Sequence, residues 1–210
     1  MGARDPRSGR LRGLEGRDGT LAPMDQAAIE DAVRRLLGAV GEDPARPGIA
    51  QTPSRVARMY AEIFSGIGQD PADEIDVVFS SGYEDLVLLR DIPLQSICEH
   101  HLTPFIGRAH VGYVPNERGQ ITGLSKLARV VDVAARRPQV QEQLTVQVAD
   151  ALTARLDPRG VIVVVEAEHL CMTMRGVRKP GAVTVTSVLR GVLRDDPAML
   201  DQAMRLIATH

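Results

Sequence analysis

The chain has 210 residues, with 25 Lys or Arg, 27 Asp or Glu and a formal net charge of −2. This length supports one domain with a good core and room for a helical extension. The charge argues against nucleic-acid binding and no apolar run approaches a membrane span, so neither a nucleic acid nor a membrane is an expected partner. The N-terminus lacks the apolar segment of a signal peptide, and the expected location is therefore cytoplasmic.

The first third of the chain divides by composition into a tail and two helices. Residues 1–23 alternate glycine and arginine with scattered acids, which predicts a flexible tail; a basic nucleic-acid-binding arm is the alternative. Residues 24–70 are predicted to form an N-terminal helical region. Its first helix runs from Asp25 to near Gly41, and its second starts with Thr52 as N-cap, after a linker.

Residues 71–210 alternate strand and helix patterns. Helices are predicted from Ser125, as N-cap, to Arg137, from Pro138 to Leu156, and at the C-terminus. Apolar alternation and β-branched runs predict strands at 86–89, 92–97, 105–114, 161–165 and 182–189. The unbroken run 161–165 is typical of a strand that is covered on both faces. This order of elements predicts an α+β domain.

Two short clusters hold both cysteines of the chain. The first reads Cys98-Glu99-His100-His101, and the second contains His169 and Cys171. Two thiolates and one imidazole, from Cys98, His101 and Cys171, suit a catalytic zinc that leaves one position for water. Three alternatives stay open at this point: buried small side chains, a disulfide, or a closed structural zinc with His100 or His169 as fourth ligand.

A basic group follows the predicted N-cap Ser125. Lys126 and Arg129 are three residues apart in the first turns of a helix, where cations oppose the helix dipole unless an anion binds there. Arg175 lies four residues after Cys171 and can converge with them if a metal joins the two clusters. Three cations around one pocket favour a polyphosphate, and solvated surface charge is the alternative.

Gln141 and Glu142 lie at the start of the helix that follows Pro138. An acid in a first turn is favoured by the dipole alone. The functional interpretation is a carboxylate that accepts hydrogen bonds from adjacent N–H donors, such as those of guanine.

Four motifs carry a resemblance to a known family. The segments CEHH, GLSKLARVV, RRPQVQEQLT and EHLCMTMRGVRKPGA, in this order and spacing, resemble GTP cyclohydrolase I from about Asp25 to the C-terminus. The resemblance implies a tunnelling fold, in which helices pack on one face of an antiparallel sheet, with residues 71–210 as the catalytic domain. It also implies Zn²⁺ as cofactor, GTP as substrate, 7,8-dihydroneopterin triphosphate and formate as products, and a homodecamer.

The resemblance also implies roles, position by position. Cys98, His101 and Cys171 match the metal ligands. The catalytic positions match His100, His169 and Ser125. The substrate-binding positions match Gln141, Glu142, Ser125, Lys126, Arg129 and Arg175. The alternatives are a non-catalytic, zinc-stapled regulatory assembly of the same fold, and another purine- or pterin-transforming enzyme of that fold.

Overall fold

The computed structural model describes residues 24–209, so the predicted flexible tail, residues 1–23, lies outside the described part. The chain divides into two compact units, Met1–Ala61 and Glu62–His210. The first unit carries helix α1 (Gln26–Ala39) and most of helix α2 (Thr52–Ile63). Asp25 caps α1 by accepting a hydrogen bond from the Ala28 N–H at 2.9 Å. The boundary between the two units falls inside α2, after Ala61. The sequence predicts a boundary after residue 70, and that boundary stays a prediction.

The second unit contains a sheet, three long helices and several short elements. A 3-10 helix (Pro71–Glu74) comes first. The strands are β1 (Val78–Ser80), β2 (Val87–Cys98), β3 (Pro104–Val114), β4 (Gln120–Thr122), β5 (Pro138–Gln139), β6 (Gly160–His169) and β7 (Val183–Gly191). The helices are α3 (Leu124–Ala135), α4 (Gln141–Leu156), α5 (Leu170–Thr173), α6 (Val192–Asp195) and α7 (Pro197–Ala208).

The main sheet has five strands in the order β5-β2-β3-β6-β7. The pairs β2–β3, β3–β6 and β6–β7 are antiparallel, and only the short β5 pairs parallel to β2. Among the described residues, β1 and β4 form a separate two-stranded ribbon. The predicted α+β class with an antiparallel sheet is confirmed.

The inner strand β6, between β3 and β7, is buried on both faces, as its β-branched run predicts. Val161, Val163 and Val165 belong to the core beneath α3 and α4, which contains Leu127 and Leu144 among others. The alternating residues of β6, Ile162 and Val164, pack against α6 and α7 through Leu193, Ala203 and Ile207. Burying each such aliphatic side chain stabilises the fold by about 1.5–3 kcal/mol, so the sheet is a rigid base for what its ends carry.

Three local predictions differ from the structure. Helix α3 is capped by Gly123 and begins at Leu124, with no side-chain capping bond, and Ser125 lies exposed in the first turn. Pro138 does not start a helix, because Pro138 and Gln139 pair with Ile97 and Cys98 as strand β5. The predicted strands 86–89 and 92–97 are one strand, β2, interrupted by a bulge at Asp91, whose φ is 56°.

His110 lies behind this bulge and is only 2% exposed. Its Nδ1 accepts a hydrogen bond from the Asp91 N–H at 3.3 Å, and its Nε2 has no hydrogen-bond partner among the described residues. Burial lowers the pKa of His110, although the charges of Asp91 and Glu166 oppose that shift and those of Arg108 and Arg90 assist it. The folded chain therefore holds this imidazole neutral at pH values where the unfolded chain protonates it.

We predict that His110 makes the protein less stable in mild acid. The unfolded state binds the proton first, so stability is complete above the unfolded pKa of about 6.5 and falls as the pH drops below it. His110→Asn should reduce the loss of unfolding free energy between about pH 7.5 and about pH 5.5 by about 1 kcal/mol, measured by urea denaturation at both pH values. The asparagine Oδ1 can still accept from the Asp91 N–H. Equal losses in the variant and the parent protein would contradict this assignment.

Candidate metal centre and active site

The first donor pair lies in the tight connection between β2 and β3. The Cys98 N–H donates to the Thr103 carbonyl at 2.9 Å, and the Leu102 N–H donates to the Cys98 carbonyl at 2.9 Å. Leu102 has a φ of 52°, which is unusual for a residue with a side chain and closes the loop sharply. These bonds hold the loop that carries His101 against the end of β2.

Sheet register brings the second cluster to the same place. Phe105 at the start of β3 lies opposite His169, the last residue of β6. The short helix α5 follows at once and carries Cys171. The antiparallel pairing of β3 and β6 therefore places two segments that are distant in sequence at one end of the sheet.

The ligand atoms of Cys98, His101 and Cys171 all lie within 4.8 Å of one another, so the three side chains can hold a metal ion. Cys98 is buried, Cys171 is half-buried and His101 is exposed. Both cysteines are free thiols, and the disulfide alternative is therefore wrong. Burial raises the pKa of the Cys171 thiol, and the neighbouring Cys98 raises it further. A cation between the two sulfurs would reverse that preference and favour the thiolates, which fits the donor set to a soft divalent metal.

Within residues 24–209, neither His100 nor His169 belongs to this donor group. The His100 ring is exposed, with Nδ1 3.8 Å from the Cys98 Sγ and Nε2 3.8 Å from the Glu99 Oε1. The His169 ring contacts Gln141 instead. The three-ligand arrangement is therefore the one favoured by this geometry, and a closed four-ligand structural site is not.

His169 is held on two sides. Its ring stacks on Phe105 with centroids 4.6 Å apart and planes 9° apart. Its Nε2 lies 2.8 Å from the Oε1 of Gln141, the first residue of α4. Burial lowers the pKa of His169, and the negative charge of Glu142 partly opposes this. The ring is therefore fixed in place and kept neutral more readily than a solvated histidine.

Gln141 is not placed as a direct substrate ligand would be. Its side chain is 1% exposed, and its amide nitrogen donates to the carbonyls of Val165 and Thr184, each at 3.0 Å. Both ends of this amide are therefore occupied inside the protein. The next residue, Glu142, is exposed in the first turn of α4, close enough for its charge to act on His169. Of this pair, only Glu142 has an exposed side chain.

The predicted cations have different neighbours. Lys126 forms an ion pair with Asp76 at 2.6 Å, and the charge of Arg129 also helps to lower the pKa of Asp76. Arg175 is exposed, with one guanidinium nitrogen 3.5 Å from the carbonyl oxygen of Cys171. Sequence reasoning missed Asp76, because nothing in its surroundings in the chain indicates a lysine partner fifty positions away.

Strand β5 connects the metal loop to the start of α4. Cys98 pairs with Gln139, and the Glu99 N–H donates to the Gln139 carbonyl at 3.0 Å. The buried amide of Gln139 donates to the Ala134 carbonyl at 3.0 Å and to the Gln147 Oε1 at 2.8 Å. The donor group and the first turn of α4 are thus linked through backbone.

A cavity of about 330 Å³ lies elsewhere, between α3 and the segment before β1. It contains none of the three donor residues, and Arg129 is the only predicted site residue in its wall. Its lining residues are Ser65, Gly66, Gln69, Glu74, Arg129, Asp132, Val133 and Arg136. We therefore place the candidate active site at the end of the sheet that carries Cys98, His101 and Cys171, and not in this cavity.

The fold and the donor group define a class of protein: an α+β protein with a candidate metal centre of two cysteines and one histidine, flanked by further histidines. Comparison with known proteins narrows this class. The model of the family described as GTP cyclohydrolase I matches residues 29–208. The chain belongs to the GTP cyclohydrolase I family, and the tunnelling fold expected from the sequence is confirmed with it.

Curated relatives agree with this assignment. The chain is 64% identical over 192 residues to GTP cyclohydrolase 1 of Thermobifida fusca, covering 90% of this chain and 93% of that protein. It is 62% identical over 190 residues to GTP cyclohydrolase 1 of Streptomyces avermitilis, covering 90% and 94%. It is 56% identical over 184 residues to the protein of the same name from Carboxydothermus hydrogenoformans, covering 88% and 95%. These relatives are named as enzymes, and none of them supports the non-catalytic alternative.

Two solved structures are more distant. An archaeosine synthase QueF-like protein in the apo form matches with a TM-score of 0.42 and 19% identity, covering 51% of this chain and 94% of that chain. A dihydroneopterin aldolase from Burkholderia thailendensis bound to guanine matches with a TM-score of 0.36 and 17% identity, covering 52% and 92%. Within residues 24–209, no helix combines the length and the apolar character needed to cross a membrane.

Proposed function

We propose that this chain hydrolyses and rearranges GTP to 7,8-dihydroneopterin triphosphate with release of formate, the first step of pterin and folate biosynthesis. The observation that carries the proposal is the convergence of the Cys98, His101 and Cys171 ligand atoms to within 4.8 Å, in a chain that belongs to the GTP cyclohydrolase I family. The activity and the roles of individual residues are taken from the family resemblance, and the surroundings of several of these residues support them.

We assign Zn²⁺ to the three donors, because thiolate and imidazole together suit zinc better than the harder cations. Bound there, zinc would supply Lewis acidity and activate water near neutral pH, as hydrolysis at a purine carbon requires. The chain's own part is to orient the donors, through the tight loop after Cys98 and the register between β3 and β6.

We assign proton transfers to His169, His100 and Ser125. Gln141 holds the Nε2 of His169, so Nδ1 is the ring atom left free to take up the proton that the attacking water releases and to pass it to N7 of guanine. His100 and Ser125 are both exposed and serve the later proton transfers at the ribose. Histidine suits such steps because its unperturbed pKa lies near neutral pH.

We assign recognition of the base to Glu142. An exposed carboxylate in the first turn of α4 can accept hydrogen bonds from N1–H and the amino group of guanine. The first turn also supplies backbone N–H groups and the positive end of the helix dipole, and an acidic side chain suits this position. Gln141, predicted to support this contact, is hydrogen-bonded to His169, the neighbouring residue of the proposed site.

We assign the ribose and triphosphate contacts to Ser125, Lys126, Arg129 and Arg175. The ammonium of Lys126 is paired with the Asp76 carboxylate at 2.6 Å. Substrate phosphates would compete with Asp76 for this cation. Because the triphosphate does not react, these contacts position the base and should act mainly on binding.

We predict that Lys126→Met raises KM for GTP more than it lowers kcat. The methionine keeps the length of the side chain but removes a charged hydrogen bond to phosphate, worth about 1.5–3 kcal/mol, which corresponds to a rise in KM of roughly ten- to a hundredfold. Steady-state kinetics of the purified variant measure both constants.

Asp76→Asn is the matched control for this variant. It breaks the same ion pair but keeps the lysine, so KM should stay unchanged or fall. If Asp76→Asn raised KM as much as Lys126→Met, the ion pair would matter for structure, and Lys126 would lose its place in the substrate site.

One assay tests the proposed function directly. The purified protein, loaded with zinc, is incubated with GTP while formate and the pterin chromophore are followed separately. Both products are expected. Formate without pterin would mean that the imidazole ring is opened but never reclosed, and neither product would favour a regulatory protein of the same fold. The homodecamer, the cytoplasmic location and the catalytic role of residues 71–210 stay predictions, which size measurement, fractionation and truncation can test.

A further inference from the structure

Thr103 is tied through its backbone to one of the two cysteine donors. Its carbonyl accepts a hydrogen bond from the N–H of Cys98 at 2.9 Å. Thr103 also precedes Pro104, and a residue before proline is restricted mainly to extended conformations. The position of Thr103 relative to Cys98 is therefore set by main chain.

The register of the sheet brings Thr103 to the other cysteine. Phe105 of β3 lies opposite His169, the last residue of β6. Continuing this antiparallel register by two residues brings Thr103 opposite Cys171. Alternate residues of an extended chain share a face, so the Thr103 side chain lies on the same face as Phe105, whose core cluster Cys171 also packs against. Thr103 thus contacts one cysteine through its backbone and faces the other through its side chain.

The hydroxyl of Thr103 is buried without a conventional partner. Its Oγ1 has no well-aligned hydrogen-bond partner within residues 24–209, and a buried hydroxyl in that state is costly. The group on which this hydroxyl acts is the Cys171 sulfur. Burial and the neighbouring Cys98 raise the pKa of the Cys171 thiol, whereas hydrogen bonding from the Thr103 side chain lowers it. The hydroxyl therefore lies beside this sulfur, in a contact that is weak for a neutral thiol.

Metal binding changes how well this sulfur accepts a hydrogen bond. The sulfur of a thiol is a weak acceptor, but cysteine binds a metal as the thiolate, and an ionised acceptor makes the stronger hydrogen bond. The Cys171 sulfur belongs to the group of three ligand atoms that lie within 4.8 Å of one another. The Thr103 hydroxyl consequently has a strong partner when Cys171 is a metal ligand.

We propose that Thr103 is a positioning residue that donates a hydrogen bond from its hydroxyl to the metal-bound sulfur of Cys171. The bond holds the sulfur in the orientation that binds the metal, and this tightens metal binding. It also draws negative charge away from the metal, which lowers the energy of the sulfur lone pairs. The inference rests on the metal assigned under the proposed function and does not depend on turnover of GTP.

The test compares four side chains at position 103. Threonine and serine carry a hydroxyl, whereas valine and alanine do not, and valine keeps the shape of threonine. The dissociation constant for Zn²⁺ is measured by competition with a chromophoric chelator. Thr103→Val and Thr103→Ala should raise it about tenfold or more, and Thr103→Ser should stay within about threefold of the parent protein. A role in packing alone gives the opposite order, with valine close to the parent protein and serine weakened.

Cobalt(II) in place of zinc gives a second measurement, because its bond to sulfur produces a charge-transfer band. Loss of the hydrogen bond raises the energy of the sulfur lone pairs, so the band should move to lower energy in Thr103→Val and Thr103→Ala. It should stay in place in Thr103→Ser. Equal zinc affinity and equal band position in the parent protein and Thr103→Val would overturn the proposal. If Thr103→Val does not fold, unchanged values in Thr103→Ala would overturn it as well.

The measurements separate this proposal from the proposed function. A parent protein that binds neither zinc nor cobalt through sulfur would overturn the metal assignment, and the role of Thr103 with it. A parent protein that binds both metals but does not turn over GTP would reject the proposed activity alone, because the four dissociation constants still decide the role of Thr103.

Discussion

Replacement of Cys171 by alanine is expected to remove bound metal and turnover together. Cys171 is one of three donors, and a metal left with only Cys98 and His101 has too few protein ligands to be retained. Metal content should fall from about one ion per chain to nearly none, and kcat by roughly a thousandfold or more, because the lost Lewis acidity is worth several kcal/mol. Elemental analysis of the purified variant and the GTP assay measure the two effects.

The neighbouring Met172 offers a matched control. It lies on the same short helix, is 38% exposed and is not part of the donor group, so Met172→Ala should keep both metal and turnover. Cys171→Ala changes the volume of the side chain only slightly, and its thermal unfolding in the presence of a chelator should resemble that of the parent protein under the same conditions. An active, metal-free Cys171→Ala protein would show that the ligand assignment is wrong.

Replacement of His169 by glutamine is expected to lower kcat by about a hundred- to ten-thousandfold, the range over which one general acid or base contributes. Glutamine was chosen because its side-chain N–H can occupy the place of the His169 Nε2–H and donate to Gln141. The variant therefore keeps the hydrogen bond but lacks Nδ1, the atom proposed to carry the proton. Rapid-mixing measurements of formate release would separate this step from the later rearrangement.

Metal content decides how the result for His169→Gln is interpreted. His169 does not belong to the donor group, so the variant should retain its metal in full. A loss of metal parallel to the loss of kcat would make His169 a ligand and restore the four-ligand alternative. Turnover within about twofold of the parent value would remove His169 from the proton-transfer role.

Much of the fold could be predicted because its signals are local. The alternation in 105–114 and the β-branched run in 161–165 gave strands close to β3 and β6. A helix start at Pro138 was predicted because proline is common at the first position of a helix, whereas pairing with β2 makes Pro138 part of strand β5. The bulge at Asp91 contains no glycine that would indicate it in the sequence, so the single strand β2 is predicted as two strands.

The site was predictable where chemistry is concentrated in short motifs and unpredictable where it depends on register. Cys98, His101 and Cys171 stand out by residue type and spacing, and the structure brings their ligand atoms together. Thr186 gave no such signal, because its contact with Gln141 exists only once β7 pairs with β6 beneath α4. Alternating threonines within an apolar strand predict that one face of the strand is polar, but they do not predict which side chain that face contacts.

The two-residue strand β5 has a consequence for the choice of substrate. Backbone hydrogen bonds join it to the Cys98 loop, and its buried Gln139 is anchored to both α3 and α4. In the proposed complex, the separation between Glu142 and the three donor atoms is consequently set by main chain and cannot contract around a smaller ligand. A bicyclic purine held at one edge by the carboxylate reaches further across such a fixed separation than a pyrimidine held in the same way.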